Sequence, residues 1–529
     1  LVLGDFANSV TVSNVETLTG GTSSDVVTLG SAITSGTIDL GAGTDTLNLG
    51  NFTHTLTLTN IETVNGGSSN DTVTLGSAFT GSINLGSGTD TLTLGDFANT
   101  VTATSIETIT GGTSDDTIVF AAALTGTVNL GAGTDTVTLG NFANTVTVSN
   151  VETITGGTSS DVVTLGTAVT SGSISLGAGT DTLTLGNFAN TVTLSNIETV
   201  TGGTSDDIVT LGAAASGAVN LGAGTDELVL GDFANTVTVS NVETLTGGTS
   251  SDVVTLGTAL NGSLDLGAGT DRLTLGNFAN TVTASNIETI TGGTSSDVVV
   301  LATALSGTVN LGSGTDTLTL GDFANTVTIS GVETITGGTS DDTVVLGAAV
   351  TSGTINLGAG TDAITLGNFA NTVTLTNIEA ITGGTSTDVV TLGSAVTSGS
   401  ISLGSGTDTL VLGNFANTLT ISNVETITGG TSDDIVTLGA ALTGTVNLGA
   451  GTDELVLGDF ANTVTVSNVE TLTGGTSSDV VVLASAVTSG GIDLGAGTDR
   501  LTLGNFANTL TISNVETITG GISADIVTL

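Results

Sequence analysis

The stretch from Gly20 to Asn65 reads GGTSSDVVTLGSAITSGTIDLGAGTDTLNLGNFTHTLTLTNIETVN, and its punctuation decides the fold. Glycines and asparagines cut it into five short pieces: Val26 to Leu29, Thr37 to Leu40, Thr46 to Leu49, Thr55 to Leu58 and Ile61 to Val64. Within most pieces Val, Leu or Ile alternates with Thr, the period-two pattern of a strand with one side in a core and the other in water. Thr is β-branched and gives a strand a polar outer face without charge. A helical period of 3.6 appears nowhere. Gly or Asn falls between the pieces, where the chain needs positive φ to turn.

The same text recurs along the whole chain. A Gly-(Asn/Asp)-Phe step places Phe6, Phe52, Phe97, Phe142, Phe188, Phe233, Phe278, Phe323, Phe369, Phe415, Phe460 and Phe506 at intervals of 45 or 46 residues. A block of five repeats is itself duplicated, since DELVLGDFANTVTVSN begins at both Asp226 and Asp453. A period of this size marks units that bury their apolar faces only by stacking on neighbours. Strands so short cannot pair as hairpins and also repeat identically, whereas stacking each on its counterpart does both and gives parallel sheets. The expectation is therefore an all-β chain, a parallel β-solenoid (β-roll or β-helix) of 45–46-residue repeats. Residues 1–529 are read as one continuous solenoid of about eleven and a half repeats, a slice of a longer protein. Two coils per repeat are expected, because two similar turns end at Asp25 and Asp45. Phe is expected to stack on Phe at one fixed corner as a packing ladder that sets register.

Composition narrows the function. The 529 residues carry 49 Asp and Glu against two Arg and no Lys, a formal charge of -47. Such a surface repels nucleic acid and anionic membranes and leaves cations as natural partners. The acids are spaced regularly, with twelve Glu in a (Val/Ile)-Glu or equivalent step from Glu16 through Glu62 and Glu107 to Glu516, which a disordered acidic tail would not show. Cysteine is absent, so neither disulfides nor thiol chemistry enter. There is no Tyr, and the one histidine, His54, stands where other repeats have Asn. Near-identical repeats build no single asymmetric pocket, so catalysis is not expected.

Chemistry is expected at the carboxylate turns. One type reads Gly-Gly-(Thr/Ser)-Ser-x-Asp, as in Gly156 to Asp161, and supplies Asp25, Asp71, Asp116, Asp161, Asp207, Asp252, Asp297, Asp342, Asp388, Asp434, Asp479 and Asp525. The other reads Gly-(Ala/Ser)-Gly-Thr-Asp, as in Gly41 to Asp45, and supplies Asp45, Asp90, Asp135, Asp181, Asp226, Asp271, Asp316, Asp362, Asp408, Asp453 and Asp499. Read from the residues alone, each Asp is an acceptor for its own turn backbone in an Asx turn, with Gly serving geometry. Two unit charges about 5 Å apart repel by roughly 0.8 kcal/mol even in bulk water, so a ladder of carboxylates favours bound cations.

Both turns resemble degenerate forms of the glycine-rich calcium-binding nonapeptide G-G-x-G-x-D-x-U-x of haemolysin-type (RTX) proteins. The departures are Ser23, Ser114 or Ser159 in place of the third glycine of that motif, and Leu40, Leu85 or Leu176 in place of its first. The phrase SNVETLTGGTSSDVVTL is also similar to what precedes such repeats in large exported bacterial surface proteins. The resemblance implies calcium between successive turns of a parallel β-roll, with these aspartates as ligands and folding that waits for calcium outside the cell. The duplicated, near-identical repeats and open strand edges point to a structural protein, a stalk, filament or surface-layer component with copies of itself end to end or laterally as partners, and the resemblance implies an extracellular or cell-surface place for it. No membrane insertion is expected. The alternative is an ice-binding or adhesin module that uses the repeated Thr-rich faces.

Overall fold

The computed structural model describes residues 1–529 and divides them into two compact units, Leu1–Thr270 and Asp271–Leu529. All regular structure is β, in agreement with the alternation read from the sequence. In the stretch quoted above the strands are Val26–Leu29, Gly36–Gly41, Thr46–Asn48, Thr55–Thr59 and Thr63–Gly67. Successive strands alternate between two sheets, and the pairing is parallel throughout. Val26–Leu29 pairs with Thr46–Asn48, which pairs with Thr63–Gly67, while Gly36–Gly41 pairs with Thr55–Thr59 in the facing sheet. A coil is thus two strands and two turns, and the register advances by 17 to 20 residues per coil, as from Ser9 to Val26 to Thr46 to Thr63.

Five strands per repeat is an odd number, so each repeat winds through two and a half coils, not the two expected. The strand Ser9–Val12 and its counterpart Thr100–Thr104, two repeats on, share a sheet and are five coils apart, whereas Thr55–Thr59 between them belongs to the other sheet. The turns that end in Asp mark only two of five strand entrances. The other three begin with Asn or His54, with Glu, and with an apolar residue, which turn counting does not register.

The half coil also overturns the phenylalanine ladder. Phe52 precedes a strand of one sheet and Phe97 a strand of the other, so successive rings lie on opposite edges. Rings on one edge are five coils, about 24 Å, apart and do not touch. Phe52, Phe97, Phe142 and Phe233 are 38–39 % exposed. Each ring covers the left-handed glycine of its own turn: a Cβ on Gly95, at φ +73°, would sit 3.4 Å from the Phe97 ring. Register is held instead by aliphatic ladders such as Val27–Leu47–Val64–Ile83, buried to 0 % exposure between the sheets.

The paired glycines of the first turn type serve close approach. Gly66 and Gly67 have no positive φ, but a Cβ on Gly66 would collide with the Leu85 carbonyl oxygen and one on Gly67 with that of Gly50. Gly156 lies equally tight against the Leu176 carbonyl. Gly156→Ala should therefore cost about 1–3 kcal/mol, and the exposed neighbour Thr155→Ala within about 0.5 kcal/mol. Amide hydrogen exchange over Thr153–Gly157 distinguishes the two.

Candidate functional site: two ladders of buried carboxylates

Every strand is entered by a residue at an equivalent corner of the coil, and most of these residues are polar and buried. Its side-chain oxygen accepts a backbone N–H from the corner one coil earlier. On one edge of Leu1–Thr270 the Asn8 amide donates to Asp25 Oδ1 at 2.8 Å, the Asp25 amide to Asp45 Oδ1 at 2.6 Å, and the Asp45 amide to Glu62 Oε2 at 2.8 Å. The fifth corner is apolar, and the Phe79 amide donates to Asn99 Oδ1 at 3.0 Å, which starts the next cycle.

The cycle Asn, Asp, Asp, Glu, apolar runs on through Asn99, Asp116, Asp135, Glu152, Val169, Asn190, Asp207, Asp226, Glu243 and Leu260. The opposite edge carries His54, Asp71, Asp90, Glu107 and Leu124, then Asn144, Asp161, Asp181, Glu198 and Ala215, then Asn235 and Asp252. The unit Asp271–Leu529 has the same two rows. One holds Asp297 and Asp316, Asp388 and Asp408, and Asp479 and Asp499; the other holds Asp271, Asp342 and Asp362, Asp434 and Asp453, and ends at Asp525.

The two turn types therefore meet: from Asp25 to Asp207 and from Asp297 to Asp479, each first-type Asp stands one coil from a second-type Asp in the same row. The Asx-turn alternative does not hold, because Oδ1 is engaged across coils and not with its own turn. The asparagines, the regularly spaced glutamates and the apolar corners are not among the candidate site residues of the sequence, although their spacing carries the signal: 17, 20, 17, 17 and 20 residues from Asn8 through Asp25, Asp45, Glu62 and Phe79 to Asn99 are coil lengths.

Asn fills its corner completely. Asn144 Oδ1 accepts the Leu124 amide at 2.8 Å, and its Nδ2 donates to the Phe142 carbonyl at 2.6 Å and to Asp161 Oδ1 at 2.8 Å. His54, fully buried, substitutes for it: Nδ1 accepts the Ile33 amide at 3.2 Å, and Nε2 lies 2.8 Å from the Leu49 carbonyl. Burial holds its pKa below the ordinary value, partly offset by the Leu49 hydrogen bond, so the ring is neutral, with Nε2–H donating.

The aspartates are only half satisfied. From Asp25 to Asp226 and again from Asp297 to Asp499, Oδ2 of each turn aspartate of both types is buried without a hydrogen-bond partner, in residues no more than 1 % exposed. Burial pushes the carboxyls of Asp71, Asp135, Asp226, Asp362 and Asp453 up to about 6, against the pull of the backbone amide each accepts, and the acids of adjoining coils push further. Three or more Asp, Glu or His side chains do not converge anywhere on a common point.

No protein-family model matches the sequence, and no curated protein matches it. Among solved structures the chain is similar to a hyperactive, Ca2+-dependent, β-helical antifreeze protein from an Antarctic bacterium, with 20 % identity, 65 % of this chain and 80 % of that chain covered, and a TM-score of 0.12. So low a score carries no structural or functional argument.

The raised carboxyls set a pH dependence. A folded pKa near 6 against 3.8 unfolded stabilises the metal-free fold fully below the unfolded value, and this stability is lost as pH rises through about 6. In chelator, the melting temperature should be higher at pH 5 than at pH 7.5. Asp135→Asn keeps the acceptor and removes the charge, and should stabilise the metal-free protein at pH 7.5 by about 1–3 kcal/mol. Melting curves at the two pH values check both expectations.

Proposed function

We propose that this chain is a non-catalytic structural solenoid of a bacterial cell surface, a stalk, filament or surface-layer component, with calcium held at the turn aspartates. The observation that carries the reading is the rows of buried Oδ2 atoms without partners. A buried ionised carboxylate with one oxygen unpaired is costly, and either a proton or a cation removes the cost. At neutral pH and extracellular calcium the cation is favoured. The resemblance of both turns to the haemolysin-type nonapeptide supports the same ligands, Asp45 and its equivalents together with Asp25 and its equivalents.

A solenoid built this way stays metastable until calcium is present, which suits a protein exported without disulfides. Lateral or end-to-end association of copies belongs to the same proposal and reads out as concentration-dependent particle size. Calcium should raise the melting temperature at pH 7.5 by roughly 10 °C or more at saturating concentration, and chelator should reverse it. Identical circular dichroism melts with calcium and with chelator would sink the calcium reading.

A second reading, ice binding, is favoured by one observation. Thr55, Thr72, Thr91, Thr108, Thr127, Thr147, Thr164, Thr184 and Thr201 form an unbroken in-register column along one sheet. Its hydroxyl and methyl groups repeat at the coil spacing of about 4.8 Å. Thr108→Tyr with Thr127→Tyr should abolish thermal hysteresis if this column organises ice, and absence of hysteresis in the unmodified protein removes the reading.

A further inference from the structure

The repeats of 46 residues differ from those of 45 by one inserted residue, and the insertion always lies in a Thr-Ser-Gly loop: Thr34–Gly36, Thr170–Gly172, Thr351–Gly353, Thr397–Gly399 and Thr488–Gly490. Where it is absent, the chain runs straight into a longer strand, as in Thr80–Gly86, Ser306–Gly312 or Thr443–Gly449, each of seven residues. Where it is present, the strand starts later, as in Gly36–Gly41 and Gly353–Gly358, each of six, and the loop stands beside the sheet as a lip. Three open grooves, of about 520, 490 and 350 Å3, border such loops.

Two of these grooves are the same site built twice, one in each unit. Glu333, Thr334, Ser352, Gly353, Thr354 and Thr374 line one, and Glu16, Thr17, Ser35, Gly36, Thr37 and Thr57 line the other at the same relative positions. The floor is a row of in-register threonines on four successive coils, Thr334–Thr354–Thr374–Thr391 in one and Thr17–Thr37–Thr57–Thr74 in the other. It presents hydroxyls every 4.8 Å or so over a length of about 14 Å. The wall is the exposed Thr-Ser-Gly backbone and its hydroxyls. Glu333 closes one end, with one carboxylate oxygen accepting the Asp316 amide at 2.9 Å.

We propose that these grooves bind a neutral, unbranched oligosaccharide. The lining has hydroxyls and backbone groups to exchange hydrogen bonds with sugar hydroxyls and Thr methyls to meet the C–H faces, and it follows a straight line along the coil axis as a linear polymer does. It holds no cationic side chain, and Glu333 or Glu16 repels acids, so phosphorylated, sulfated and uronic ligands are excluded. The lip also makes this part of the Thr face concave, which suits a chain lying in a trough and not a planar lattice.

The probe is cellohexaose with the full chain, followed by saturation-transfer NMR and calorimetry in calcium and in chelator. Transfer to the sugar is expected, and deleting Ser35, Ser171, Ser352, Ser398 and Ser489 should weaken binding at least tenfold. That variant converts the long loops to the length the other repeats already carry. Should it not fold, Thr57→Val, Thr193→Val, Thr374→Val, Thr420→Val and Thr511→Val removes a floor hydroxyl beside every loop with a β-branched residue kept, and the same tenfold loss is expected. No transfer from the unmodified protein, or unchanged binding in the folded variant, overturns the proposal. Both outcomes are distinguishable from the calcium melts, because the two equivalent grooves contain none of the turn aspartates.

Discussion

The structure depends on a backbone N–H that the parallel sheets leave without a backbone partner. At the Asn, Asp and apolar corners the chain turns inward to begin a strand, and the amide there meets a side-chain oxygen and not a carbonyl. An unmet buried donor costs about as much as a lost hydrogen bond or more. The solenoid meets the demand with a side-chain oxygen from the next coil: Asp45 Oδ1 for the Asp25 amide, Glu62 Oε2 for the Asp45 amide, Asn99 Oδ1 for the Phe79 amide. Because Asn and Asp acceptors also carry amides of their own to be met, the need is handed on from Asn to Asp to Asp to Glu, and the result is a polar run of four corners, repeated along each edge.

That solution has an electrostatic consequence. Asn satisfies its corner with both ends of the amide group, as Asn144 does. Asp in the same position satisfies one oxygen and leaves the other buried without a partner beside another acid. Asn at every corner would serve structure alone, so the tandem aspartates bring in a buried charge that the winding itself does not require. The apolar fifth corner, Phe79 or Leu124, interrupts each row and keeps the carboxylates in short groups.

The half-integral winding links the remaining features. Five corners per repeat on a coil with two corners send each repeat to the face opposite its predecessor, so both sheets and both edges carry the same chemistry in alternation. This is why the half-exposed rings of Phe52 and Phe97 lie on opposite edges. A single inserted residue is accommodated because it falls where a strand can start one residue later without disturbing the core.

Much of this was legible in the residues. Alternation of Val, Leu and Thr in pieces of four, the 45–46-residue period and the Gly and Asn at turns, Asn60 at φ 51° and Gly50 at φ 74° among them, determined a parallel β-solenoid and its thin aliphatic core, since strand period and turn geometry are local properties of sequence. The positions of the turn aspartates were equally plain. The number of coils per repeat, the separation of the phenylalanines and the pairing of the two Asp types across coils were decided only by the tertiary structure. These depend on which distant corner lies above which, and Asn, Asp, Glu and Leu, unlike as residues, become equivalent only once the chain is wound and each is asked to meet the same buried amide.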